Sequence, residues 1–181
     1  KKQRPTIKRI ESGARNFDAL CSGGIPKGSV IVVAGPPGAG KTILTQQICF
    51  HNAGPKARIL YFNTLSEPTA KTLRYLSQFA FFDADKLDGV VEFVDLGLIL
   101  RTKGLEAASK LVMEHVKRVK PAIVVIDSFR VFDDLAPSKE DLRKFGYELT
   151  VQLMVWEATI FLLGEFGAHD IETNPLFSIV D

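Results

Sequence analysis

One stretch of the sequence places three glycines ahead of a lysine and a threonine at fixed spacing. Residues 29–34 before it form a short β-branched apolar run that predicts a buried strand, and residues 41–52 after it have helical apolar spacing. Glycines let the backbone curl so that successive N–H groups point inward, and the helix start adds the positive end of its dipole. This pattern is typical of a phosphate-binding loop, so we predict an ATP site at Gly35, Pro36, Pro37, Gly38, Ala39, Gly40, Lys41 and Thr42. Lys41 is predicted to reach the β- and γ-phosphates as a catalytic residue, and Thr42 to give its hydroxyl to Mg²⁺.

A carboxylate follows a second buried strand. Residues 122–126 are apolar on both faces of the predicted strand, and Asp127 comes directly after them. The carboxyl ends of parallel strands face the ligand crevice of an open α/β sheet. Alone, this residue would only end a strand. Paired with the phosphate-binding loop, Asp127 is predicted to be the second metal ligand, directly or through water.

Hydrolysis also needs a group that orients and deprotonates water beside the γ-phosphate. Glu67 follows the second predicted strand, residues 59–63. If that strand neighbours the phosphate-loop strand, Glu67 faces the same crevice and is the candidate base. The same carboxylate could instead favour the positive end of a helix beginning near Pro68, and its position alone leaves both interpretations open.

Glu165 follows the fifth predicted strand, residues 159–163, and therefore also lies at the ligand edge. It is a candidate to sense the γ-phosphate or to hold a water molecule. It could equally be a polar residue that simply leaves a buried strand.

The order of elements alternates strand and helix along the chain. A third strand is predicted over residues 90–94, a helix over 105–119, and another helix opening with a capping box at Ser138 and Asp141. Strands that are apolar on both faces and alternate with amphipathic helices imply a mostly parallel sheet covered on both sides. The predicted fold class is therefore α/β, in a single domain.

Composition limits the classes of protein that the chain could be. With 181 residues, of which 46% are hydrophobic and 24% charged, the chain can bury a core without disulfides. Its net charge of +2 is too small to create an overall electrostatic attraction to nucleic acid or to a membrane surface. Cys21 and Cys49 have no metal or CxxC spacing, which predicts reduced thiols in a cytoplasmic protein. No apolar run approaches the roughly 18 residues that span a bilayer, and the basic start lacks a signal-peptide core.

Taken together, these segments resemble the KaiC family within the RecA superfamily of P-loop NTPases. An entry segment before the loop is similar to that family's, and so are the second, fourth and fifth strands with the residues that follow them. The likeness runs over residues 12–13, 17–20, 23–29, 35–52, 59–62, 66–68, 122–128 and 159–165.

The resemblance implies a RecA-like core over residues 10–181, preceded by a basic tail at 1–9. It implies a homo-oligomeric ring, usually a hexamer, with ATP and Mg²⁺ at subunit interfaces, and hydrolysis coupled to assembly or to an unknown protein partner. The best-known member is a circadian clock ATPase that also phosphorylates itself on Ser/Thr. Two departures stand out: Ser66 occupies the place of the first of two family glutamates, and the family's C-terminal strands are expected beyond Asp181.

Two other functions fit the same core. A RecA- or RadA-like DNA-dependent ATPase would use the loops after the fourth and fifth strands, residues 128–137 and 165–175. Each holds more acids than bases, whereas a backbone-binding loop needs Lys or Arg, so the sequence argues against nucleic acid. A nucleotide-gated binding module without turnover is the third possibility, because Ser66 stands beside the candidate base.

Overall fold

A five-stranded parallel sheet forms the centre of the computed structural model, which describes residues 7–64, 69–87, 89–174, 177 and 180. A short antiparallel pair precedes it, made of β1 (Arg9–Ile10) and β2 (Ile25–Pro26). The sheet strands are β3 (Val30–Ala34), β4 (Ile59–Asn63), β5 (Val91–Asp95), β6 (Ile123–Asp127) and β7 (Thr159–Gly164). The predicted parallel α/β sheet is confirmed, and each strand begins within one residue of its expected position.

The strands lie in the order β3, β7, β6, β4, β5. The condition under which Glu67 would face the phosphate-loop crevice, that the second predicted strand neighbours the phosphate-loop strand, is not met, because β7 pairs with β3 while β4 pairs with β6. Burial gives the physical reason. β6 and β7 are apolar on both faces and take central positions, whereas β3 and β5 are partly exposed and form the edges.

Helices cover both faces of the sheet. The longer ones are α2 (Lys41–Asn52), α3 (Thr69–Leu76), α4 (Gly97–Val119) and α6 (Lys139–Met154). The shorter ones are α1 (Arg15–Leu20), α5 (Arg130–Leu135), α7 (Ala168–Thr173) and a 3₁₀ turn at Ala84–Leu87. The segments 128–137 and 165–175, interpreted from the sequence as loops, thus contain α5 and α7. Phe132 of α5 is buried in the core, and its packing there can hold so short a helix in place. The acidic residues beside it made the segment look like a solvent-exposed loop in the sequence.

Alternate residues of each central strand enter two separate cores. On one face, Phe62, Ile126 and Leu162 pack with α4, α5 and α6. On the other face, Tyr61, Val125 and Leu163 pack with α2 and α3. Burying a large apolar side chain contributes about 1.5–3 kcal/mol, so these layers hold the strand ends, and whatever they carry, in fixed register.

Two helix starts follow local rules. The Ser138 hydroxyl oxygen accepts from the Asp141 N–H at 3.1 Å, which confirms the predicted cap of α6. α4 begins at Gly97 rather than near residue 105, with non-helical dihedrals at Gly104. The Asp95 carboxylate accepts from the Gly97 N–H at 2.7 Å, and buried Leu100 anchors the additional turns.

Candidate nucleotide-binding site

The glycine-rich loop joins the end of β3 to the start of α2. Gly38 and Gly40 have φ of 76° and 84°, a left-handed conformation that costs other residues roughly 1–2 kcal/mol. A Cβ at either position would meet no atom within 4 Å, so the space over the loop is open to a ligand. Backbone conformation and open approach together match the predicted phosphate cradle.

Lys41 folds back over this loop. Its ammonium donates to the backbone carbonyls of Gly35 and Pro36, both at 2.9 Å. The charge therefore lies within the curve of the loop, at the N-terminal end of α2. Phosphate oxygens entering the loop would replace these two carbonyls as acceptors.

Thr42 and Asp127 meet across the crevice although they are 85 residues apart. The Thr42 hydroxyl donates to Asp127 Oδ2 at 2.8 Å. Asp127 ends β6, while Thr42 lies in the first turn of α2. The structure thus brings together the two residues that the sequence proposed for Mg²⁺, and their hydroxyl and carboxylate oxygens are the donors that this ion prefers.

Tyr61 is a third member of this group, which sequence reasoning missed. Its hydroxyl donates to the same Asp127 oxygen at 2.7 Å, and the side chain is fully buried. Burial raises the pKa of the Tyr61 phenol well above its usual range, and the Asp127 charge adds to the shift. Tyr61 therefore stays protonated and keeps donating. The signal available in advance was a tyrosine in an otherwise apolar strand, since a buried phenol needs a partner.

Asn63 ends β4 directly beside Asp127 in the sheet register. Its amide nitrogen is shielded from solvent and has no hydrogen-bond partner among the residues that the structure describes. The Asn63 residue lines a cavity of about 250 Å³ that extends from Thr42 and Asp127 toward α3. Sequence reasoning treated this residue only as the end of a strand.

A second cleft, of about 350 Å³, lies over the phosphate loop. Lys41, Thr42, Asp127 and Glu165 all line it, together with Gly38, Gly40 and Gly164, so four of the predicted side chains share one cleft. Glu165 is exposed at the end of β7. Glu67 lies in residues 65–68, outside the described part of the chain, and its role stays a prediction.

The residues present fit a magnesium–nucleotide complex. The loop offers backbone N–H groups and an ammonium to phosphates, while Thr42 and Asp127 offer two hard oxygen ligands to the ion. Nowhere in the described residues do three His, Cys, Asp or Glu side chains form a metal-binding group. The fit therefore depends on the hydroxyl and carboxylate pair.

The parallel sheet order and this loop place the chain in the class of P-loop nucleotide-binding proteins with a RecA-like core. A solved KaiC-like protein from the hyperthermophilic archaeon Pyrococcus horikoshii OT3 has the same fold, with a TM-score of 0.79 over 97% of this chain and 78% of that one, at 23% identity. The family model described as KaiC ATPase matches residues 10–179. The chain belongs to the KaiC ATPase family, which confirms the resemblance read from the sequence.

Curated relatives agree with this assignment. The circadian clock oscillator protein KaiC 1 of Synechocystis sp. is 26% identical over 99% of this chain, and KaiC of Prochlorococcus marinus (strain MIT 9313) is 29% identical over 99%. The chain spans 35% and 36% of those relatives, about a third of their length. Among the described residues, no helix combines the length and apolarity needed to cross a membrane.

Proposed function

We propose that this chain is a Mg²⁺-dependent ATPase domain that binds ATP over residues 35–42 and hydrolyses it. The observation that carries the proposal is the 2.8 Å contact between the Thr42 hydroxyl and Asp127 Oδ2. It joins the phosphate loop to the strand-end carboxylate, and a single ion can use both. Family membership supports nucleotide binding, and ATP hydrolysis is the activity that we propose in addition.

The residues act mainly by positioning and charge. Loop N–H groups and Lys41 would hold the β- and γ-phosphates, while Thr42 and Asp127 would hold Mg²⁺, which when bound neutralises charge developing on the phosphate oxygens. Tyr61 keeps the Asp127 carboxylate in one orientation. Little covalent chemistry remains for the protein beyond activating a water molecule.

Glu67 is the proposed base. Water forms its bond to the γ-phosphorus as the bond to the bridging oxygen breaks, and the water proton passes to the Glu67 carboxylate, leaving ADP and phosphate. Support comes from the end of β4, where Asn63 lies beside Asp127, because the chain continues from there toward residue 67. Glu165, in the loop cleft, is the proposed γ-phosphate sensor or water ligand.

Assembly and regulation are proposed from the family. We propose a homo-oligomeric ring in the cytoplasm, a hexamer as is usual in the family, in which the nucleotide state controls assembly or the binding of a protein partner. Ser/Thr self-phosphorylation is proposed only for the whole protein, because this chain spans a third of the clock proteins it resembles. DNA is a poorer partner, since α5 and α7 surround Arg130 with Asp133, Asp134 and Asp170.

The experiment is release of labelled phosphate from γ-labelled ATP with Mg²⁺, using Lys41→Ala as the blank. We expect release by the unaltered chain that stops on chelation of the metal and falls steeply in Glu67→Gln. Glu165→Gln tests the weaker assignment in parallel. Tight ATP binding with no release above the Lys41→Ala blank would reduce the chain to a nucleotide-gated binding module.

A further inference from the structure

Thr64 follows directly after β4 and is only 2% exposed. Its hydroxyl makes two hydrogen bonds to a single residue of the chain that follows β6. It accepts from the Ser128 backbone N–H at 2.8 Å and donates to the Ser128 carbonyl at 2.9 Å. The Thr64 backbone N–H in turn donates to the Asp127 carbonyl at 2.8 Å. One threonine therefore holds the backbone of two consecutive residues, Asp127 and Ser128.

These bonds begin where the sheet ends. The parallel ladder between β4 and β6 stops at the pair Asn63 and Asp127. Beyond this pair, the Thr64 side chain carries the link between the two chains one residue further, to Ser128. The Ser128 carbonyl also accepts from the Val131 N–H, but at 3.4 Å, so the bond from Thr64 is the tighter of the two. The Thr64 hydroxyl thus fixes the backbone at the point where it leaves the strand.

The residues held in this way line the proposed reaction site. Asp127 and Ser128 both line the 350 Å³ cleft over the phosphate loop, and the Asp127 carboxylate accepts from the Thr42 hydroxyl. A shift of the backbone at 127–128 would therefore move the proposed metal ligand relative to the loop. Thr64 does not line that cleft, so any effect of Thr64 on the reaction passes through the residues that it holds.

The sequence also connects Thr64 to the proposed base. Glu67 comes three residues after Thr64. Because the Thr64 backbone is bonded to Asp127, the point from which the chain continues toward Glu67 is fixed beside the strand that carries the metal carboxylate. The proposed hydrolysis needs the metal ligand and the base at a set distance from each other, and Thr64 stands between them.

We propose that Thr64 is a positioning residue for ATP hydrolysis, whose hydroxyl holds the backbone of Asp127 and Ser128 in place against the phosphate loop. This inference rests on the proposed function and deepens it. The hydroxyl takes no part in the bond changes at phosphorus. Valine has nearly the shape of threonine and can make neither bond, so Thr64→Val isolates what the hydroxyl contributes.

Three measurements compare Thr64→Val with the unaltered protein. Phosphate release at saturating ATP and Mg²⁺ should fall by about 10–100-fold, because the metal carboxylate is no longer held in place. ATP affinity without Mg²⁺, measured by equilibrium binding, should stay unchanged, because the hydroxyl holds residue 128 rather than loop 35–42. The melting temperature without nucleotide should fall by about 4–8 °C, because two buried hydrogen bonds are lost.

Thr150→Val is the matched control. Thr150 is also 2% exposed, and its hydroxyl donates to the Gly146 carbonyl at 2.8 Å within α6. Its replacement should lower the melting temperature and leave phosphate release unchanged. Thr64→Ser keeps the hydroxyl and should recover most of the release that Thr64→Val loses. Should Thr64→Val not fold, Thr64→Cys takes its place, because a thiol is a weak donor and acceptor and should give a smaller loss of release in the same direction.

The outcomes separate the two proposals. Release by Thr64→Val that matches Thr150→Val, or release by Thr64→Ser as slow as that of Thr64→Val, overturns the positioning role and leaves the ATPase intact. Weaker ATP binding with normal release at saturation overturns it as well. No release by the unaltered protein above the Lys41→Ala blank overturns the ATPase and the role of Thr64 with it. Slow release with unchanged ATP affinity, recovered by serine, supports both.

Discussion

Tyr61→Phe removes a single oxygen atom from the centre of the site. That oxygen lies 2.7 Å from Asp127 Oδ2, and the Tyr61 residue is 0% exposed. A hydrogen bond to a charged group contributes about 1.5–3 kcal/mol. At about 2–4 °C per kcal/mol for a chain of this size, the melting temperature should fall by about 3–12 °C.

The same change should weaken metal binding. Groups that hold a metal ligand in place typically contribute 10–100-fold to affinity, so the Mg²⁺ concentration for half-maximal ATP hydrolysis should rise by about that factor. Tyr147→Phe is the control, because Tyr147 is 57% exposed on α6. Both quantities are read from melting curves and from phosphate release across a Mg²⁺ titration. Unchanged values in Tyr61→Phe would refute the positioning role and the hydrogen-bond energy assigned to it.

Two further predictions concern stability. Ser138→Ala removes the side-chain cap of α6 and should cost about 1 kcal/mol in denaturant unfolding, and an unchanged midpoint would contradict the cap. Burial raises the pKa of the Cys49 thiol above its ordinary value of 9.0, so the stability it confers is complete below pH 9 and declines as pH rises, since only the unfolded thiol ionises. Cys49→Ala should therefore lose about 1.4 kcal/mol less per pH unit than the unaltered chain above pH 9, and parallel declines would disprove it.

Local signals predicted the phosphate loop and the elements beside it. The glycine spacing, the apolar run of β3 and the helical spacing of α2 all lie within residues 29–52, so no distant residue is needed to recognise them. Asp127 could be chosen for the same reason, because its strand is apolar on both faces. The structure then brought Asp127 to the loop threonine.

Distant pairing explains what the sequence could not provide. Strand order depends on contacts such as that between Val30 and Ile160, and no local pattern encodes it. Tyr61 and Asn63 acquire their significance only when β4 lies against β6, which sets both residues near Asp127. The helices α5 and α7 were missed because they are six residues each, too short for a periodic signal.

The pairing of β3 with β7 also bears on biosynthesis. About 130 residues separate the paired positions, so at ordinary translation rates of about 5–20 residues per second β3 waits about 6–26 s for its neighbour. During that interval the strand preceding the phosphate loop exposes an apolar edge that invites pairing with other chains. Nascent chains of this protein are therefore expected to depend on chaperones that shield such edges until β7 emerges.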